Sequence, residues 1–193
     1  MITSMCKAYG RLVCVTNRHL CTTLFLEQIE RVVRLHPRAL ILREKDLPEE
    51  GYRTLAQQVL AICRRAGVPC YGHTYAQVAV ELGMDGLHLP LPLLQQLSPE
   101  IRNRIPRLGA SCHSLDDVLK AAALGADYVT LGHIFATQCK PGLPPRGLAL
   151  LKEVCENSPI PVYAIGGITP QNLEQVIQAG AAGACMMSGF MEI

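Results

Sequence analysis

Aromatic residues make up only 5% of this 193-residue chain, basic residues form no run, and the formal net charge is +2. A nucleic-acid surface needs clustered Lys or Arg, commonly interleaved with aromatics, so no nucleic-acid partner is expected. No apolar stretch reaches the roughly 18 residues of a membrane span, so no membrane partner is expected. The stretch Met1 to Gly10 is too polar and too short for a signal peptide, and the chain is expected in the cytoplasm. No two of the nine cysteines stand in C-x-x-C spacing, and their number is odd. That argues against a zinc site or a disulfide framework. Cys14 and Cys185 sit inside apolar runs, Val13-Cys14-Val15 and Ala184-Cys185-Met186, as small buried hydrophobes in a reduced protein. The glycine fingerprint of a dinucleotide fold is also missing. The first strand-like run ends Thr16-Asn17-Arg18-His19, with no G-x-G-x-x-G.

What is present is an alternation. The chain is 49% hydrophobic and 18% charged, the balance of one globular domain, taken here as residues 1–193. Short β-branched runs read as strands over Leu12 to Thr16, Ala39 to Leu42, Pro69 to Tyr71 and Gly86 to Leu89, then over Gly109 to Cys112, Tyr128 to Leu131, Val162 to Ile165 and Ala184 to Met187. Helical spacing lies between them, over Glu27 to Leu35, Leu55 to Arg65 and Tyr75 to Leu82. Ser98-Pro99-Glu100 reads as a helix start, Ser114 as an N-cap before Asp116 and Asp117, and Thr169-Pro170 as the cap of the helix after strand 7. Gly83 to Gly86, Gly125 to Tyr128 and Gly180 to Gly183 form a weak repeat in which a helix ends and a strand begins. Eight β-then-α units imply a parallel sheet and favour an α/β fold of the (β/α)8 TIM-barrel type over an open sheet. The length is slightly short for a barrel, which usually needs about 200 residues or more. Only a few residues follow strand 8, so a truncated or missing final helix is expected. The N-terminal segment or a partner subunit would cover the gap, and a homodimer is expected.

In such barrels the reactive groups stand at the carboxyl ends of the strands. Those positions read Arg43-Glu44-Lys45, His73, His88, Ser111 with His113, Gly132-His133, Gly166-Gly167 and Ser188-Gly189. The glycine-bearing ends of strands 7 and 8 leave backbone N–H groups open to an anion. Gly166, Gly167, Ser188 and Gly189 are therefore candidate phosphate ligands. His133 opens a loop of more than a dozen residues that carries Lys140. The imidazole is a candidate proton carrier and the ammonium a candidate partner for a substrate anion. His113 is a weaker candidate, because it also stands at a helix start. His88 fits packing into the barrel at least as well as chemistry.

These motifs together resemble the thiamin-phosphate synthase/TenI family over nearly the whole chain. They are Leu42-Arg43-Glu44-Lys45, Met84 to Leu89, Ser111 to Ser114, Ala126 to Phe135, Thr137 to Lys140, Ala164 to Ile168 and Met187 to Gly189. The synthase branch of that family joins a pyrimidine diphosphate to thiazole phosphate with Mg²⁺ held by aspartates after strands 3 and 4. Here those stretches read Tyr71-Gly72-His73-Thr74-Tyr75 and Leu89-Pro90-Leu91-Pro92-Leu93. Neither contains a carboxylate. Gly132 to Leu148 is closer to the TenI-type thiazole tautomerase, which aromatises a carboxythiazole phosphate without metal or cofactor. By that resemblance His133 is the catalytic residue. Gly167, Met187 and Ser188 hold the phosphate, while Arg43, Lys140, Ser111 and His113 face the carboxylate or ring. Lys45 keeps the synthase-like pattern and joins the substrate-binding set. The alternatives are a divergent thiamin-phosphate synthase and a non-catalytic regulatory protein that binds thiazole phosphate.

Overall fold

Eight parallel strands pair in sequence order and close on themselves, β1 joining β8 through Leu12↔Ala184, Val13↔Cys185 and Cys14↔Met186. The computed structural model describes residues 9–138 and 142–193. The strands are β1 Leu12–Val15, β2 Ala39–Ile41, β3 Cys70–His73, β4 Gly86–Pro90, β5 Leu108–Cys112, β6 Tyr128–Gly132, β7 Val162–Ile165 and β8 Gly183–Met186. They are covered by α1 Phe25–Val33, α2 Glu49–Ala66, α3 Ala76–Glu81, α4 Leu91–Gln95, α5 Pro99–Arg102, α6 Leu115–Ala123, α7 Gly147–Asn157, α8 Leu173–Gln178 and α9 Ser188–Met191. Both faces of each strand are buried, which is why these runs are nearly continuous apolar sequence. Leu12, Leu40 and Leu108 point outward into the layer packed under the helices, and Val13, Val15, Ala39 and Ile41 point into the barrel.

The barrel interior is closed at its amino-terminal end by tyrosines. Each tyrosine ring lies opposite a glycine on a neighbouring strand: Tyr71↔Gly86, Tyr128↔Gly109 and Tyr163↔Gly183. A Cβ at Gly86 or Gly183 would come to 2.9 Å and 2.8 Å from its tyrosine ring, and one at Gly109 would overlap Tyr128. Large and small residues thus alternate around the barrel so that the rings fit.

Several boundaries differ from the sequence expectation. Helix α2 begins at Glu49, six residues before Leu55. Its first turn is polar and carries Glu49 and Glu50 against the helix dipole, so apolar periodicity does not reveal it. Tyr52 in this turn is nevertheless buried, donating to the Leu42 carbonyl at 2.8 Å and accepting from the His73 N–H at 2.9 Å. Thr169-Pro170 does not cap a helix. Residues 169–172 form a turn in which Asn172 Oδ1 accepts from the Thr169 N–H, and α8 starts at Leu173. The short helix α4 directly after β4 was not signalled. Seven described cysteines are free thiols, five of them buried.

After β8 comes only the four-residue α9, whose Phe190 and Met191 are fully buried. The chain itself supplies part of the cover. The Tyr9 ring lies 5.6 Å from that of Phe190, and Gln28 Nε2 donates to the Phe190 carbonyl at 2.7 Å. Among the described residues no helix is long and apolar enough to cross a membrane.

Candidate active site

Side chains on a strand alternate between its faces, so every second residue of each strand points into the barrel. Reading the strands upward in steps of two leads from the tyrosine floor to a cavity of about 330 Å³ at the carboxyl ends. Its lower tier includes His73, His88, Ser111 and Thr130. Its rim includes Arg43, His113, Gly132, Gly167 and Met187. Lys45, His133, Gly166 and Ser188 also line it. The expected Lys140 lies outside the described residues. Gly189 is not part of the lining. It faces the barrel wall, where a Cβ would come to 2.6 Å from Met186 Sδ. Its candidacy as a phosphate ligand rests on its backbone N–H, which stands in the first turn of α9.

The Arg43-Glu44-Lys45 motif divides by face. Glu44 is only 2% exposed and turns away from the cavity. It accepts from Thr16 Oγ1 at 2.7 Å and from Arg18 Nη1 at 3.1 Å, and Thr16 Oγ1 in turn accepts from the Arg43 N–H. This buried network sets the backbone so that the two flanking cations line the cavity. Removing Arg18 would leave the buried Glu44 carboxylate without its counter-charge, whereas Arg18 would keep Asp46 if Glu44 were removed.

The β6–β8 wall is built from backbone. Gly166 and Gly167 have φ of +97° and +65°, which L side chains adopt only under strain. They also admit the neighbouring loop. A Cβ on Gly166 would overlap His133, and one on Gly167 would come to 2.5 Å from the Ala136 carbonyl oxygen. The pair thus serves two ends at once, an open cavity edge and a seat for His133. The loop is stitched to it by Ile134 N–H to the Ile165 carbonyl at 2.9 Å and Phe135 N–H to the Gly166 carbonyl at 3.0 Å. On the other strand end, Ser188 and Gly189 N–H groups stand in the first turn of α9 and have no partner inside the helix.

His133 is 6% exposed, and its Nε2 lies 3.2 Å from the Leu143 carbonyl oxygen. A carbonyl only accepts, so Nε2 carries the proton and, in the neutral ring, Nδ1 carries the lone pair. His113 is oriented in the same way. Its Nδ1 lies 2.9 Å from the Gly132 carbonyl oxygen, which also accepts from Arg146 Nε at 3.0 Å.

The β3–β5 wall is built from side chains. The rings of His73 and His88 stack with centroids 6.1 Å apart. His88 Nε2 lies 2.9 Å from Ser111 Oγ, and its Nδ1 lies 3.1 Å from the Tyr128 hydroxyl. Burial, then the neighbouring charge of His88 and of Arg43, pushes the His73 imidazole down to about 2. Burial, then Arg43, pushes His88 down to about 3. Both are neutral hydrogen-bonding groups at physiological pH. The cavity thiols of Cys112 and Cys185 are pushed up to about 12 by burial and are unreactive. No described lining residue is Asp or Glu. A hard divalent cation prefers carboxylate and other oxygen ligands, so this imidazole-rich set does not fit a Mg²⁺–diphosphate centre.

Arg43, Lys45, Ser111, His113, His133, Gly166, Gly167, Met187 and Ser188 are therefore brought together as expected. Thr130, His73 and His88 also line the cavity, positions to which the sequence assigns no role in binding. The step of two from Gly132 back to Thr130 and Tyr128 is the signal that finds Thr130.

The family model described as thiamine monophosphate synthase (TMP-TENI) matches residues 12–190. A thiamine-phosphate synthase of Thermus thermophilus is 37% identical over 159 residues, covering 81% of this chain and 76% of that protein. Thiamine-phosphate synthase 2 of Streptococcus pneumoniae is 33% identical over 189 residues, covering 94% of this chain and 88% of its own. The solved thiamine phosphate pyrophosphorylase of Pyrococcus furiosus superposes with a TM-score of 0.78 at 25% identity, covering 95% of this chain and 89% of the other. With the match running from the first strand into the last helix, the chain belongs to the thiamine monophosphate synthase (TMP-TENI) family.

Proposed function

We propose that the protein is a metal-independent thiazole tautomerase, which moves a proton on a carboxythiazole phosphate to give the aromatic tautomer. The observation that carries this reading is a cavity that combines an oriented histidine with cations and open backbone donors and has no carboxylate among its described lining residues. The phosphate would sit against Gly166, Gly167, Met187 and Ser188. Arg43 and Lys45 would attract the substrate carboxylate. The Nδ1 lone pair of His133 would take the ring proton, and the resulting imidazolium would return a proton at the second ring position. The backbone cradle holds the ring still while this happens, which is where positioning lowers the barrier. A homodimer covering the flank beside α9 belongs to the same proposal. A monomeric mass in light scattering at micromolar concentration would count against that part.

The names of the relatives favour a second reading, thiamine-phosphate synthesis. The two are separated by one pair of assays. The dearomatised carboxythiazole phosphate is supplied with EDTA and aromatic ultraviolet absorbance is followed. In parallel, pyrimidine diphosphate and thiazole phosphate are supplied with Mg²⁺ and pyrophosphate release is followed. Aromatisation that persists in EDTA, with no pyrophosphate release, is the expected result. Mg²⁺-dependent pyrophosphate release without aromatisation would replace the first reading with the second.

A further inference from the structure

We infer that the opposite, amino-terminal end of the barrel carries a second binding site, for a small phosphate-class anion. A separate pocket of about 250 Å³ opens there beneath the tyrosine floor. Its lining includes Arg38, Arg107, Pro69, Tyr71, Tyr128 and Tyr163. Arg38 immediately precedes β2 and Arg107 immediately precedes β5, so the two cations approach from different strands. The Arg38 guanidinium lies 5.9 Å from the centre of the Tyr163 ring, and that of Arg107 lies 5.6 Å from the centre of the Tyr128 ring.

Three features point to an anion. First, the pocket lining holds two cations and no carboxylate. Secondly, among the described residues neither guanidinium is held in a salt bridge, unlike Arg102, which pairs with Asp127. The acids at this rim are engaged elsewhere. Asp85 accepts from the Cys70 N–H at 2.8 Å, and Asp127 accepts from the Leu108 N–H at 2.7 Å and pairs with Arg102. Thirdly, an arginine held against a tyrosine ring is oriented in advance while its N–H donors stay available. Two such forks match the oxygens of a phosphate group. The volume lies below the roughly 300–1,000 Å³ of sites for drug-sized ligands, so the ligand is orthophosphate, pyrophosphate or a compact phosphate ester. The site does not depend on the reaction proposed for the upper cavity.

The test is calorimetric titration of the full chain with orthophosphate, pyrophosphate and glycerol 3-phosphate, with tyrosine emission recorded in parallel. The chain contains no Trp and six Tyr, three of which line this pocket, so emission reports on it directly. The double variant Arg38→Gln/Arg107→Gln is expected to lose one binding event and the associated emission change. Lys152→Gln, on the exposed face of α7 and in neither pocket, should keep both. The exposed Arg38→Gln alone should weaken the lower event about tenfold, which keeps the test valid if the double variant does not fold. Tighter binding of glycerol 3-phosphate than of orthophosphate would identify an ester as the ligand, and the reverse would identify the inorganic ion. Equal stoichiometry and affinity in the wild type and Arg38→Gln, or no emission change with any of the three probes, would overturn the proposal.

Discussion

The two walls of the upper cavity are made from different materials. The β6–β8 wall presents backbone: two glycines with positive φ, the first turn of α9 and a loop pinned against β7. The β3–β5 wall presents side chains: two stacked neutral imidazoles and the hydroxyls of Ser111 and Thr130. A backbone donor is lost only to proline or to a substitution that moves the chain, so an anion grip built from such donors persists through most side-chain changes. A wall of side chains can change its chemistry at every position. In this chain it presents no carboxylate where a metal-assisted reaction would want one. Family membership alone therefore leaves the reaction open, because the chemistry of the side-chain wall is set residue by residue.

The sharpest way to break the comparison is at His133, seated on the backbone wall. His133→Ala should lower the aromatisation rate by about 10²–10⁴-fold and leave the melting temperature nearly unchanged, measured by absorbance kinetics and circular dichroism. A variant as active as wild type would remove His133 from the mechanism. Gly166→Ala tests the seat itself. The new Cβ meets positive φ and the His133 side chain together, so it should cost about 2–4 kcal/mol in urea unfolding and abolish turnover.

The side-chain wall should be visible in pH. His73 and His88 are neutral in the folded chain but protonate in the unfolded chain near 6.5. The unfolded state then binds more protons as pH falls, so stability is full above about pH 7 and is lost progressively towards the depressed folded values. Between pH 7 and 5 the loss should reach about 2 kcal/mol for each histidine, and His88→Phe should flatten the profile. The smallest effect is expected at Ser188. One hydroxyl contact to phosphate is worth about 1 kcal/mol, so Ser188→Ala should raise KM about fivefold with little change in kcat.

Much of this was legible in the sequence. The alternation of apolar runs with helical spacing implied the barrel, because strands buried on both faces must be apolar throughout. The strand-end rule then found most of the cavity residues, from Arg43 and Lys45 round to Ser188. Boundaries were less legible where local chemistry overrode periodicity. The first turn of α2 is polar, and only the hydrogen bonds of Tyr52 to Leu42 and His73 show why it is helical. The helix start assigned to Thr169-Pro170 moved to Leu173, because the Asn172 side chain closes a turn on the Thr169 N–H.

The amino acids by themselves determined the closed parallel barrel, the rim that carries the reactive groups and the lack of carboxylates after β3 and β4. Periodicity and residue type are local properties. Only the tertiary structure decided that Gly166 seats His133, that the Leu143 carbonyl selects its proton-bearing nitrogen and that His73 and His88 are neutral. Each of those depends on contacts between residues on different strands or loops, and on how much water the closed barrel excludes. Neither is encoded in the spacing of residues along one strand.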